Sequence, residues 1–368
     1  MSGDNHTPLH HAVQNGQLSR VEQLLASGAF TEARGEDNNT PLHLAVWKGH
    51  INVVELLLGK GASVQALNKY YNTPLHLAVW NGQTRVAKLL IQNGALIDVI
   101  NNRDNTPLHI AASKGHTGIL LLLFWWGASV RTLGENWNTP LHLAARSGYT
   151  RTVDILLKSN APIQAINRSW NTPLHLAAWN GHTRVVELLL DKGALSIEVN
   201  GDGNTPLHLA AQSGHTSTVE LLLRTSTPTE VRNSYGKRPL HFAAQNGHTH
   251  VVELLLNDGA SAGANDRFHD TPLHHAAEGG HTSVVELLLG NGALIEARNR
   301  CKFTPLHLAA IGGSSSVVEL LLEKGASIEA RSTENHTPLD YAAQRGHTDI
   351  VKLLKTKATE IIADEINT

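Results

Sequence analysis

The tetrapeptide Thr-Pro-Leu-His recurs at a fixed spacing, and no other property of the chain constrains its fold as tightly. The threonine stands at positions 7, 40, 73, 106, 139, 172, 205, 271, 304 and 337, with Arg238 in the one exceptional slot. Every interval is 33 residues, so the chain divides into eleven repeats in one register, without insertion or deletion. A period of this length marks a stacked-repeat architecture, because a unit so small cannot bury its own apolar face and must use its neighbours.

The sixth repeat, Thr172 to Asn204, shows why each unit folds as two helices. Thr172 suits a helix N-cap, and Pro173 follows at a position where a missing N–H leaves nothing unpaired. Leu174, Leu176, Ala177 and Ala178 then form a short helix whose small residues allow close packing, and Gly181 ends it in a left-handed turn. Thr183 is expected to cap a second helix that buries Val185, Val186, Leu188, Leu189 and Leu190, with Gly193 as its stop. The polar stretch before the next Thr-Pro suits a hairpin-like finger.

A 33-residue period built on Thr-Pro-Leu-His-x-Ala resembles the ankyrin repeat. The resemblance covers about Asn5 to Lys357. It implies an all-α fold: an ankyrin-repeat solenoid of about twenty-two antiparallel helices with β-hairpin-like finger loops. The expected organisation is a single repeat domain over 1–357 with a C-terminal tail over 358–368, which either extends the last helix or frays. The last repeat is more polar, with Lys352 and Lys355 in its second helix and Asp340 in place of the motif histidine. In the first repeat, Gln23 replaces an apolar residue of the second helix. Such polar ends are expected of terminal repeats. Two local irregularities are expected: at Arg224-Thr225-Ser226-Thr227-Pro228, which lacks the helix-ending glycine, and in the finger at Leu195-Ser196-Ile197, where the apolar residue comes one place late.

Composition narrows the function. With 30 basic and 32 acidic residues the net charge is −2, which gives no electrostatic footprint for nucleic acid or an anionic membrane. The single cysteine, Cys301, excludes an intrachain disulfide and a cysteine-based zinc cluster. The longest apolar run, Ile119 to Trp126, is far short of the roughly 20 residues of a membrane span. A soluble monomer, intracellular in the cytoplasm or nucleus, is expected.

Twenty-three histidines invite a metal or acid–base reading. Ten stand in the tetrapeptide and seven follow the glycine between helices. Equivalent residues of neighbouring repeats are about 8–10 Å apart, whereas zinc ligands must each lie about 2 Å from one ion. In ankyrin repeats these histidines resemble structural hydrogen-bonders. His274-His275 and His248-Thr249-His250 show no third ligand at a convincing spacing. Recurrent second-helix acids such as Glu187 and Glu220 suit a solvated face or ion pairs. No catalytic constellation, cofactor or metal is expected.

The aromatic residues are more informative. All seven tryptophans lie between residues 47 and 179. Trp47, Trp80 and Trp179 share the slot seven residues after the motif threonine, which elsewhere is mostly polar. Tyr71, Trp137 and Trp170 share the finger turn two residues before it, where glycine is usual. Leu67, Ile100, Leu133 and Ile166 share the slot six residues before it, elsewhere held by residues such as Arg34, Arg232 and Arg298. Three slots turn apolar over the same stretch, which marks a binding strip. The competing reading is that neighbouring fingers bury these side chains against one another.

The expected function is therefore non-catalytic recognition of a protein or peptide partner on the concave face of repeats two to six. The resemblance implies that the first-helix slot lies in the groove that meets ligands. The alternative is an enzyme or receptor holding a hydrophobic or cationic small molecule there, with Arg103, Asp104, Glu135 and Arg146 as the polar candidates. Trp125 and Trp126, ending a second helix, are open between packing on their own repeat and exposure.

Overall fold

The computed structural model describes residues 6–225 and 227–367, with side chains through residue 360. Each repeat forms two α-helices. The first five pairs are α1 (Pro8–Gln14) with α2 (Leu18–Ala26), α3 (Pro41–Lys48) with α4 (Ile51–Gly59), α5 (Pro74–Trp80) with α6 (Thr84–Gln92), α7 (Pro107–Lys114) with α8 (Thr117–Trp125), and α9 (Pro140–Ser147) with α10 (Thr150–Lys158). Three more are α11 (Pro173–Trp179) with α12 (Thr183–Asp191), α13 (Pro206–Gln212) with α14 (Thr216–Arg224), and α15 (Pro239–Gln245) with α16 (Thr249–Asn257). The last are α17 (Pro272–Glu278) with α18 (Thr282–Gly290), α19 (Pro305–Gly312) with α20 (Ser315–Glu323), and α21 (Pro338–Arg345) with α22 (Thr348–Asn367). The described residues contain no strand, so the fingers are turns.

The chain divides into two compact units, Met1–Pro173 with Leu188–Ala194, and Leu174–Glu187 with Leu195–Thr368. In the first unit α1, α3, α5, α7 and α9 pack in succession, as do α2, α4, α6, α8 and α10. The second unit repeats the rule from α13 to α21 and from α14 to α22. Each core is built from equivalent positions, such as Leu42, Ala45 and Val46 of α3 against Val53, Val54 and Leu57 of α4, all buried. Truncating one of these leucines would open a cavity worth about 2–5 kcal/mol.

The start of each first helix follows from the tetrapeptide. Thr40 is the N-cap of α3, its hydroxyl accepts from the His43 N–H at 3.4 Å, and Pro41 opens the helix. The Thr40 N–H in turn donates to His43 Nδ1 at 3.2 Å, closing a reciprocal box in which histidine plays the part usual for glutamate. Asp340 closes the same box in α21, accepting from the Thr337 N–H at 2.8 Å.

Second helices start differently from expectation. Thr183 is the first residue of α12 and not its cap, and its hydroxyl lies 2.9 Å from that of Thr218. In the equivalent helices α4, α8 and α14 the cap position belongs to His50, His116 and His215, none of which bonds its own helix start. Gly181, at φ +70, leads into α12, and a Cβ there would meet the His215 ring at 2.5 Å, so the slot needs glycine for conformation and space together.

The finger at Leu195-Ser196-Ile197 keeps the same turn as its neighbours. The displaced apolar residue does not distort the backbone; Ile197 is simply left exposed. At the other expected irregularity, α14 ends regularly at Arg224 with Thr225 as its C-cap, while Ser226 lies outside the described residues. The boundary expected at residue 357 falls inside α22, whose backbone runs helical to Asn367.

Candidate recognition surface

Most fingers are organised by the side chain five places before the motif threonine, a slot that is glycine only at Gly35 and Gly134 among the described fingers. The Asn68 side-chain oxygen accepts from the Tyr70 N–H at 3.0 Å and the Asn72 N–H at 3.1 Å, an Asx turn that folds the tip. Its amide donates to the Asn39 side chain of the preceding finger at 3.0 Å. The same link joins Asn101 to Asn72 and Asn167 to Asn138, both at 3.0 Å. One backbone bond also joins neighbouring tips, as from the Asn102 N–H to the Tyr70 carbonyl at 3.0 Å. This asparagine ladder was not anticipated. The recurrence of asparagine 29 residues apart was its visible signal.

Histidines fasten the fingers to the helices. Because Nδ1 of His43 accepts from Thr40, the ring proton sits on Nε2, which donates to the Asn72 carbonyl of the next finger at 3.0 Å. His76 and His142 reach Asn105 and Asn171 in the same way, at 3.1 and 2.9 Å. Burial pushes the pKa of His43, His76, His109, His175 and His208 down to about 4, and that of His241 to about 3. They are neutral structural donors at neutral pH.

On this frame the aromatic slots are displayed. The carbonyls of Trp47, Trp80 and Trp179 are each held by the following repeat: by the Asn81 side chain at 3.2 Å, His116 at 3.4 Å and His215 at 2.9 Å. All three side chains are about half exposed. The Lys114 ammonium lies 3.8 Å from the Trp80 ring centroid. Trp47 and Trp80 belong to the first unit, and Trp179 occupies the same slot within the second.

The finger tips are held in a rarely populated conformation. Tyr71, Trp137 and Trp170 have φ of +58, +61 and +61, the left-handed region that Gly203 and Gly236 occupy in the same slot. Asparagine or aspartate enters this region easily, whereas a large aromatic side chain is strained there by about 1–2 kcal/mol. Trp137 and Trp170 are nevertheless 59% and 61% exposed, so burial does not offset the strain.

The third slot completes the strip. Leu67, Ile100, Leu133 and Ile166 are all exposed; neighbouring fingers do not bury them. In other repeats the slot has a structural task, with Arg34 donating to the Leu67 carbonyl at 2.6 Å and Arg298 to the Arg331 carbonyl at 3.4 Å. Val199 shares this slot in the second unit and is exposed as well, an apolar member not singled out from the sequence. Arg331 likewise donates to the Asn335 carbonyl at 3.0 Å, and Glu296 accepts the Ser327 N–H at 2.9 Å.

One cluster escaped the sequence reading. Asp266, Asp270 and His275 bring their ligating atoms within 4.8 Å of one another. His275 Nε2 is 3.1 Å from Asp266 Oδ2, and Asp266 Oδ1 accepts from the Phe268 and Asp270 N–H groups at 2.7 and 3.0 Å. Asn299 donates to Asp270 at 2.7 Å. Burial works to raise the Asp266 pKa, but the His275 bond and the two N–H bonds outweigh it and hold the carboxyl below its usual range. With these oxygens engaged inside the protein, the arrangement is that of a buried carboxylate–imidazole hydrogen bond.

The family model for ankyrin repeats matches the chain at residues 1–68, 60–133, 127–200, 194–266, 209–299 and 273–364. The chain belongs to the ankyrin-repeat family. Its fold is the ankyrin solenoid of paired helices, and ankyrin repeats generally serve as non-enzymatic scaffolds for protein interaction. No curated protein matches it. Among the described residues of this ankyrin array, no helix is long and apolar enough to cross a membrane.

Proposed function

We propose that this ankyrin array recognises a protein or peptide partner through the first helices and fingers of repeats two to five, with Trp179 offering the same slot in the second unit. Trp47, Trp80, Tyr71, Trp137 and Trp170 are the anchors, and Leu67, Ile100, Leu133 and Ile166 the apolar floor. The observation that supports it is the strained exposure of the finger aromatics. A tryptophan at φ +61 that remains 61% exposed does nothing for its own repeat, and rigid aromatics make strong interface anchors. First helices α1, α3, α5, α7 and α9 carry no carboxylate, while Lys48, Lys114 and Arg146 stand among the tryptophans. A partner with acidic residues between apolar ones complements this surface.

The test is to capture partners from the source cells and titrate each with the whole chain. Trp47→Ala/Trp80→Ala should weaken a true partner by more than about a hundredfold, given hot-spot losses of at least about 2 kcal/mol per residue. Full affinity in that variant, together with loss on changing Gln212, Gln245 and Gln344, would place recognition elsewhere.

A further inference from the structure

We infer that the outer face of α8 is a second binding site, independent of the recognition strip, and that its occupant is the surface of an anionic lipid bilayer. The strict register makes the anomaly measurable. Leu121 fills a slot that in the other ten repeats is always charged, as at Glu55, Lys88, Asp154 and Glu187. Trp126 fills one that is otherwise always polar, as at Lys60, Asn93 and Ser159. Trp125 stands where other repeats have Gly59, Gln92 or Lys158. Leu121 and Trp125 lie in α8 and Trp126 is its C-cap.

These side chains are not needed to hold the repeat. The buried face of α8 is Ile119, Leu120 and Leu123, the counterpart of Val86, Ala87 and Leu90 in α6. Leu121 is 51% exposed and Trp125 is 86% exposed. Trp126 is about half exposed, so Trp125 is the side chain that projects furthest.

The flanks select the occupant. Helices α6 and α10 pack on either side of α8 and present Arg85, Lys88, Arg151 and Lys158, all exposed. The one carboxylate on the three helices, Asp154, is bonded to Lys158 at 2.7 Å. Basic side chains around projecting Leu and Trp form the pattern that seats a protein on an anionic bilayer, where the apolar residues enter the headgroup boundary and the cations meet lipid phosphates. A second copy of the chain fits poorly, because a symmetric contact would oppose like charges. A folded acidic partner would need a pocket shaped to receive Trp125, whereas a bilayer receives it without one. The net charge of −2 averages this local surplus away.

Co-sedimentation of the whole chain with phosphatidylcholine vesicles, with and without phosphatidylserine, tests the inference. Binding should require phosphatidylserine, weaken with salt and blue-shift the tryptophan emission. Leu121→Glu/Trp125→Lys/Trp126→Lys installs residues that sibling repeats already hold in these slots, so the fold should persist, as thermal melting can verify. That variant should partition at least about tenfold less. Lys88→Glu/Arg151→Glu, which leaves the apolar residues in place, should lose the phosphatidylserine dependence and decides the matter if the triple variant fails to fold. Equal partitioning of all forms, or no binding at low salt, overturns the inference. So does a concentration-dependent dimer that the triple variant abolishes, or selective binding of an acidic protein without vesicles.

Discussion

The ammonium of Lys114 lies 3.8 Å from the centroid of the Trp80 ring, one repeat ahead of it. A cation over an indole face at an exposed site stabilises by about 0.5–1 kcal/mol. Lys114→Met should therefore lower stability by no more than about 1 kcal/mol in urea titration, and should shift tryptophan emission. In a Trp80→Gln background the same change should leave the emission unmoved. A carboxylate of the partner would meet Lys114 beside the ring, so the substitution should also increase the salt tolerance of binding.

The left-handed finger aromatics set stability against recognition. Replacing Trp137 and Trp170 by glycine relieves a strain of about 1–2 kcal/mol per residue and costs about 0.5–1 kcal/mol in unfolded-chain entropy. The double variant should melt no lower than the parent while losing affinity for the partner. A drop in melting temperature would show that the indoles hold the fingers together.

Acid should unfold the array through its histidines. An unfolded imidazole titrates near 6.5, while burial holds five of these rings at about 4 and His241 at about 3. As the pH falls below 6.5 the unfolded chain takes up protons first, so stability is full above 6.5 and declines steadily towards 4. At pH 5.5 each ring has withdrawn about 1 kcal/mol, and the six together several kcal/mol, comparable with the whole stability of many domains. Urea midpoints should fall steeply between pH 7 and 5, and replacing His76 by glutamine should flatten the slope.

The buried pair of Asp266 and His275 should show strong coupling. Six other repeats hold asparagine in the first slot with an apolar residue in the second, as at Asn101 and Ile110. His275→Leu leaves the fully buried Asp266 side chain without one of its partners and should cost about 1–3 kcal/mol. Adding Asp266→Asn should recover part of that loss, with a coupling above about 1 kcal/mol by urea denaturation.

The repeat, its caps and its glycines were legible because each is a local signal repeated at a fixed position. The tetrapeptide specifies the box that Thr40 and His43 close, and slot-by-slot comparison isolates the aromatic strip. Contacts whose partner comes from another repeat leave no such local signal. The ladder through Asn39, Asn68 and Asn101, and the convergence of Asp266 with His275, depend on how neighbouring fingers align in space. Thr183 misled because a threonine before an apolar run resembles a cap, while in equivalent helices the cap position belongs to a histidine, such as His215, that bonds the preceding repeat. Helix α8 withheld its exposed face for another reason: where nearly every residue is apolar, periodicity cannot separate inside from outside.

The bond from each motif histidine to the finger that follows has a further consequence. For nine of the ten it joins positions 29 residues apart, less than one period, so a duplicated block of 33 residues arrives with both halves of that bond. Such a block can enter next to any ordinary repeat and find its donors and acceptors waiting. The array can therefore lengthen or shorten by whole units without new stabilising chemistry, and an aromatic-bearing repeat can be copied along the chain as a ready-made contact.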